Sequence, residues 1–279
     1  MSKTSREYLM ENLEEALRLE VKTDPQAVRD QALWCGIKPG LRVLDAGCGP
    51  GKVTSILHEM IQPGGEILGV DYSEARIAHA KKTYAPSDSI SFMLHDLREP
   101  FHHGGPFDLI WVRFVLEYNL SESRKIVENL DSLLKPGGVL CLLDLDYNCL
   151  THYELPERME SVLVRLMKSL EGNFNFDPYA GRRLYARLYD LGYEDIQVRL
   201  LAHHLIYGEA KDHDMFNWVK KVEVVTRKAR EAFVDYPGGE KAFFEDFQSF
   251  FVHPRRLTYT PLIICRGIKP TLPRSRPEK

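Results

Sequence analysis

Val43-Leu44-Asp45-Ala46-Gly47-Cys48-Gly49-Pro50-Gly51 decides how the rest of the chain is read. Val43 and Leu44 close a short apolar run that begins at Leu41. Three alternate glycines then open a turn, and Val53, Ile56, Leu57, Met60 and Ile61 follow at helical spacing. The pattern is strand, turn, helix, with the glycines above a helix N-terminus. A side chain there would hold a ligand away from the backbone, and a sharp strand-to-helix turn calls for positive φ. Asp45 selects the ligand: a carboxylate at the mouth disfavours a phosphate and suits a group bearing an ammonium, held directly or through water.

The spacing separates this turn from its neighbours. A dinucleotide fingerprint runs G-x-G-x-x-G and a P-loop ends in Gly-Lys-Ser/Thr, whereas here Gly51-Lys52 is followed by Val53. Twenty residues on, the apolar run Glu66-Ile67-Leu68-Gly69-Val70 ends in Asp71-Tyr72-Ser73. A carboxylate at the end of a second strand is placed to accept both hydroxyls of a ribose. Adenosine is implied; pyrophosphate is not.

At these residues the chain resembles the class I S-adenosylmethionine-dependent methyltransferases. The 43–51 stretch is similar to the family's first motif, Gly69-Val70-Asp71-Tyr72-Ser73 to its ribose motif and His95-Asp96-Leu97 to its adenine-contacting motif. Phe107–Tyr118 resembles the fourth strand and its exit, and Leu133-Leu134-Lys135-Pro136-Gly137-Gly138 the turn before the fifth. The resemblance implies S-adenosyl-L-methionine as cofactor, with Asp45, Gly47, Cys48, Gly49, Gly51, Asp71, Tyr72, Asp96 and Leu97 around it. It further implies that the Arg113 main chain approaches the cofactor's amino group, and that Tyr8 or Arg18, on N-terminal helices across the mouth, reaches its carboxylate.

The alternation of short apolar runs and helical segments makes the same case without a family. Strands are expected at 41–46, 66–70, 90–94, 107–112 and 139–145, with helices at 52–61, 73–84 and 121–134 between them. Such alternation favours parallel strands with right-handed crossovers, and a doubly wound sheet binds ligand at the carboxyl ends of its strands. Asp45, Asp71, Asp96 and Arg113 all fall at or just past those ends. The expected fold is therefore α/β, a doubly wound, mostly parallel seven-stranded sheet of the Rossmann-like class I methyltransferase type.

Around this core the chain carries additions. Residues 1–40 read as N-terminal helices, the second starting at Asp24-Pro25, and 41–208 as the cofactor-binding core with a helical insertion at about 150–177. Met159, Val162, Leu163, Leu166, Met167 and Leu170 share one face of that insertion. A helix over about 179–191 and a strand over about 194–206 follow. Residues 209–254 form a helical lid or subdomain, 255–268 the last strand of the core, and 269–279 a disordered tail. Phe243, Phe244, Phe247, Phe250 and Phe251 recur at helix spacing inside the lid. Core packing is the first reading of that face; lining of an apolar pocket, with Phe174 and Phe176, is the second.

Composition bounds the partners. With 279 residues, 44% of them hydrophobic, and a formal net charge of -3, nothing suggests a protein built to hold nucleic acid. The five cysteines include no C-x-x-C pair, which fits reduced thiols in a cytoplasmic protein. The start has no signal-peptide core, no run approaches membrane-spanning length, and no zinc-like spacing of Cys and His indicates a metal. Oligomeric state stays open.

The expected activity is methyl transfer from S-adenosylmethionine to a small, apolar or aromatic acceptor, with oxygen, nitrogen and carbon nucleophiles all open. The alternative is a regulatory or sensor protein that binds the cofactor without turnover. Catalytic side chains need not be many, since alignment in a dry pocket supplies much of the rate. His152 and Glu117 are candidate bases, with His203 and His204 behind them. Arg113 and Glu117, four apart, would pair if the chain turned helical directly after the fourth strand.

Overall fold

The computed structural model describes residues 19–20, 23–85, 87–101, 104–148 and 150–271. Tyr8, Arg18 and the residues of the tail beyond 271 lie outside them. After helix α1 (Pro25–Cys35) come β1 (Arg42–Ala46), α2 (Lys52–Ile61), β2 (Glu66–Asp71), α3 (Glu74–Tyr84), β3 (Ile90–Leu94), β4 (Phe107–Arg113), α4 (Ser123–Asp131) and β5 (Leu134–Leu145). The rest comprises β6 (His152–Tyr153), α5 (Glu157–Phe174), α6 (Leu184–Asp190), β7 (Glu194–Tyr207), α7 (Asp212–Lys228), α8 (Gly239–Phe251) and β8 (Leu257–Ile268).

The strands make one sheet in the order β3-β2-β1-β4-β5-β8, with β7 along the outer edge of β8. The two-residue β6 also pairs with β8, beyond the stretch that β5 covers, and brings the count among the described residues to eight. Pairs among β1 to β5 are parallel, while β8 runs antiparallel to β5 and β7. The chain winds from β1 outward to β3, then crosses to β4 on the other side of β1. The order reverses between β1 and β4, so their carboxyl ends open a crevice there. This is the doubly wound, mostly parallel sheet expected from the sequence.

The central strands β1, β4 and β5 are buried on both faces. Val28, Ile56, Leu57, Ile77 and Ala80, from α1 to α3, pack on one side with Val43, Leu109 and Trp111. Ile126, Val127 and Leu130 of α4 and Leu184 and Leu188 of α6 pack on the other with Leu44, Ile110 and Leu142. A third core lies off the sheet, where the apolar face of α5 meets α7 and α8: Leu163, Leu166 and Leu170 with Trp218, Val222, Phe243, Phe247 and Phe251.

Two boundaries differ from expectation for local reasons. The helix expected over 121–134 ends at Asp131, and Leu134 already belongs to β5. Pro136 keeps Lys135 out of helical backbone, and the early start of β5 is absorbed by a register shift opposite Phe107 and Leu109. The segment expected as a helix over 179–191 is a 3-10 turn, Gly181–Arg183, followed by α6. Gly181 permits this because a Cβ there would meet Ile263 and the main chain of Asp144.

Candidate functional site

A cavity lies at the carboxyl ends of β1, β2, β3 and β4 and encloses about 1190 Å³ of space, part of it open to solvent. Gly47, Cys48 and Gly49 form one wall, Asp71 and Tyr72 a second, and Asp96 and Leu97 a third. Arg113, Phe114 and Val115 close the fourth side. The sequence motifs thus converge in space.

The glycine turn is held by the strand beside it: the amides of Gly47 and Cys48 both donate to the Val70 carbonyl, at 2.7 and 2.9 Å. Gly47 has φ +83, and a Cβ there would collide with the Val115 side chain, so the first glycine is required by both backbone and packing. Gly51 lies behind the wall. It caps α2 with φ +98, and a side chain would press on Ala80 and the Phe92 ring.

Asp71 is buried yet faces the cavity. Its Oδ2 accepts the Gly49 amide at 2.9 Å, its Oδ1 the Ser73 amide at 2.9 Å, and Arg76 Nη2 stands 3.5 Å from Oδ1. A carboxylate has about four lone-pair sites, so both oxygens retain accepting capacity toward the cavity. Tyr72 beside it is 40% exposed and lies under the Arg76 guanidinium. Asp96 is gripped by Arg98, whose Nε and Nη2 donate to its two oxygens at 2.8 and 2.6 Å. Partial burial pushes the Asp96 carboxyl up, but these bonds outweigh it and its pKa lies below the ordinary value. Leu97 offers an apolar side chain to the cavity and its carbonyl to Asn129 Nδ2.

Asp45 takes a different position from the one its place in the motif suggests. It is 2% exposed, stands one layer beneath the cavity wall and accepts a 2.6 Å bond from Thr54 Oγ1. Burial raises its pKa to about 7, against the lowering effects of Thr54 and Arg113. Cys48 lines the cavity as a buried thiol that burial holds well above the ordinary range.

Arg113 and Glu117 do not share a helical face. Phe114 between them takes φ +59, and the chain then makes a 3-10 turn, Leu116–Tyr118, instead of an α-helix. The Arg113 guanidinium donates to Gln31 Oε1 and stacks 4.1 Å over the Phe114 ring. Burial lowers its pKa to about 10, against the opposing fields of Asp45 and Asp144. Glu117 is 2% exposed, is not among the residues described around the cavity and accepts from Asn148 Nδ2 at 2.9 Å.

The candidate histidines lie away from the cavity wall. His152 bonds Thr258 Oγ1 at 2.8 Å and sits among the rings of Trp218, Phe247 and Phe250. His203 packs on Phe114 and His204 on Trp218. The insertion phenylalanines are core: Phe243, Phe247, Phe250 and Phe251 are all at most 5% exposed. No residue of 209–254 is among those described around the cavity. Among the described residues, no group of three or more His, Cys, Asp or Glu is placed to hold a metal, and no helix is long and apolar enough to cross a membrane.

The cavity also takes in residues beyond the cofactor motifs, among them Tyr118, which ends the fourth-strand motif, and Phe174, which the sequence offered as pocket lining. Leu19 and Thr23 cover it from the N-terminal side, where Lys52 Nζ donates to the Glu20 carbonyl. Tyr118, Asn119, Phe174 and Asn175 extend it away from the glycine turn. Asn175 carries a signal of its own, an asparagine closing a long amphipathic helix. It caps α5 in left-handed conformation, φ +56, and its side chain binds Ser121 and Glu122.

A family model described as a methyltransferase domain matches residues 37–213. The chain belongs to that methyltransferase family. S-adenosylmethionine is the cofactor of this class, and the accepting oxygens of Asp71, the open turn at Gly47 and Gly49 and the apolar side chain of Leu97 fit it. Demethylmenaquinone methyltransferase of Staphylococcus aureus (strain JH9) is 31% identical over 108 residues, 38% of this chain and 44% of that enzyme. The matched stretch is thus less than half of that relative. The YcgJ protein of Bacillus subtilis has a similar fold, with TM-score 0.58 and 16% identity, over 88% of this chain and 99% of that one. The [4+2]-cyclase SpnF is also similar, with TM-score 0.55 and 17% identity, over 89% of this chain and 82% of that one. At such identities the methyltransferase domain shares a fold with both, and the fold alone does not fix the reaction.

Proposed function

We propose that the chain transfers a methyl group from S-adenosylmethionine to a small apolar or aromatic acceptor. The observation that carries this reading is that the cavity walled by the cofactor motifs is also lined by Val115, Tyr118, Asn119, Phe174 and Asn175, which we read as a second compartment. A sensor of the cofactor needs no second compartment; a transferase does. The name of the 31%-identical relative, a demethylmenaquinone methyltransferase, supports an acceptor of this apolar kind.

When bound, the cofactor supplies a sulfonium-activated methyl, so the chain has mainly to align and desolvate. In this reading Asp71 accepts the ribose hydroxyls, Asp96 and Leu97 border the adenine, and the main chain from Gly47 to Gly49 and at Arg113 holds the methionyl end. Val115, packed against Gly47, joins the two compartments and brings acceptor and methyl into line. Leu19 and Thr23 exclude water from the mouth. Of the residues named for the acceptor compartment, only Tyr118 is ionisable, and the Glu117 carboxylate faces Asn148. That wall suits an acceptor atom that is nucleophilic without a strong protein base, such as a phenol, a hydroquinone carbon or an enol.

The test is to incubate the purified protein with isotopically labelled S-adenosylmethionine and a panel of reduced naphthoquinones, phenols and small amines. Mass spectrometry then follows both S-adenosylhomocysteine and labelled product. Labelled naphthoquinone or phenol is the expected result. Transfer to amines alone would overturn the acceptor class, and tight cofactor binding without any product would favour the sensor.

A further inference from the structure

Among the described residues the insertion adds none to the cavity wall, yet one polar chain runs from it to the turn that does. Lys221 on α7 donates from Nζ to Asn148 Oδ1 at 3.0 Å, and Asn148 Nδ2 donates to Glu117 Oε2 at 2.9 Å. Glu117 lies in the 3-10 turn Leu116–Tyr118, whose Leu116 and Glu117 amides both donate to Asp144 Oδ2, at 2.8 and 3.2 Å. Val115 and Tyr118, on either side of those two amides, line the cavity. Glu117, Asp144 and Asn148 are each at most 2% exposed.

We infer that Lys221 is a positioning residue, through which the insertion fixes the 114–119 turn and hence the acceptor compartment. This rests on the reading of that compartment as the acceptor's. Chemistry makes the chain directional. A carboxylate can only accept and an ammonium can only donate, so the buried Asn148 amide has one orientation that satisfies both neighbours. Two carboxylates, Glu117 and Asp144, lie buried side by side at the end of the relay, where like charges disfavour each other. The Lys221 ammonium, presented through the amide dipole, offsets that repulsion and holds Glu117 in place. The other end of the relay is equally fixed: Lys221 crosses the face of Trp218, which is 2% exposed and packs on Phe247 and Phe251 in the insertion core. A shift of α7 is therefore transmitted to the turn, while the cofactor side, held by bonds within β1 to β3, stays as it is.

Amide hydrogen exchange on the full chain, with S-adenosylhomocysteine as the probe ligand, tests this. Lys221→Met should raise exchange over residues 114–119 about tenfold, within the range by which such residues alter coupling, and leave α8 as in the parent. Affinity for S-adenosylhomocysteine should stay within about twofold. Lys221→Arg, which restores a donor cation, should return exchange toward the parent level. Unchanged exchange over 114–119 in Lys221→Met overturns the inference, and so does an equal rise throughout α8, which would mean general loosening. Failure of the parent chain to bind S-adenosylhomocysteine counts against the methyltransferase reading instead, and the exchange comparison still decides the coupling.

Discussion

The two halves of the cavity are built in different ways. On the cofactor side each functional group follows a strand end: Gly47 after β1, Asp71 at the end of β2, Asp96 after β3 and Arg113 at the end of β4. Backbone pairing fixes those groups, and the parallel register brings them to one crevice. On the side proposed for the acceptor the wall comes from a 3-10 turn and from the C-terminus of α5, joined by Asn175 to Ser121 and Glu122. Its shape is set by side-chain hydrogen bonds and by a helical core remote from the sheet. A cofactor of constant structure suits the first construction. A site that must differ between relatives is easier to vary in the second.

The contrast makes the insertion the place where stability and cofactor binding should separate. Phe243 is fully buried between Phe233, Tyr236 and Phe247. Phe243→Ala should cost about 3 to 5 kcal/mol of stability by leaving a cavity in this core. Urea unfolding gives that number, and calorimetry with S-adenosylhomocysteine on the still-folded fraction should give parental affinity. A parallel loss of affinity would show that the two halves are one cooperative construction after all.

Acidity distinguishes the halves next. The folded chain raises the Asp45 pKa from 3.8 to about 7, chiefly through burial, so it holds that proton more tightly than the unfolded chain does. The stabilisation is present below about pH 4 and is lost as pH rises through about 7. At about 1.4 kcal/mol for each unit of displacement, the loss reaches up to about 4 kcal/mol. Asp144, raised in the same direction by burial and by Glu117, adds to the slope, so the measurement is a difference. Stability of the parent and of Asp45→Asn, compared between pH 4 and 8, should diverge in slope. Equal slopes would remove Asp45 from the titrating groups.

Sequence was a good guide wherever local pattern and position in the sheet coincide, and a poor one where a single residue breaks the pattern. The helix at 52–61 and the strand at 90–94 have the limits that periodicity gives them. Asp45 was legible as part of a motif but not as a buried structural acid, because its partner Thr54 sits nine residues on, in a helix. The four-residue spacing of Arg113 and Glu117 promised a pair that Phe114 prevents by adopting left-handed backbone. Asn175 acts on Ser121, 54 residues away in the chain, and its place at the end of an amphipathic helix marks it as a cap without naming that partner.

Asp71 carries the most direct test of the cofactor side. Removing two charge-accepting hydrogen bonds to the ribose should weaken S-adenosylhomocysteine binding by about 2 to 4 kcal/mol in Asp71→Ala. The same carboxylate holds the Gly49 and Ser73 amides, so part of that loss would come from loosening the turn. Adenosine and methionine as separate ligands resolve the two parts: a ribose role weakens adenosine alone, whereas a loosened turn weakens both. Unchanged affinity in the folded variant would withdraw the ribose assignment.

The smallest expected effect concerns Glu117, where the acceptor turn meets the insertion. Its carboxylate is buried, is not among the groups described around the cavity and accepts from Asn148. A general base must reach the proton it removes, so this geometry favours a positioning role. Glutamine keeps an acceptor for Asn148 and removes a charge beside Asp144, so Glu117→Gln should hold stability within about 1 kcal/mol of the parent and retain most turnover with the acceptor identified by product analysis. Alanine leaves Asn148 without that acceptor and should cost about 1 to 3 kcal/mol. The pH profile supplies the discriminating measurement: with a positioning role the glutamine variant keeps the parental profile, whereas a base would leave both variants slow and shift it. If both variants match the parent in turnover and stability alike, the turn after β4 owes nothing to Glu117. The turn would then be held by Asp144 through its main-chain amides, with α5 and Asn175 completing the proposed acceptor compartment.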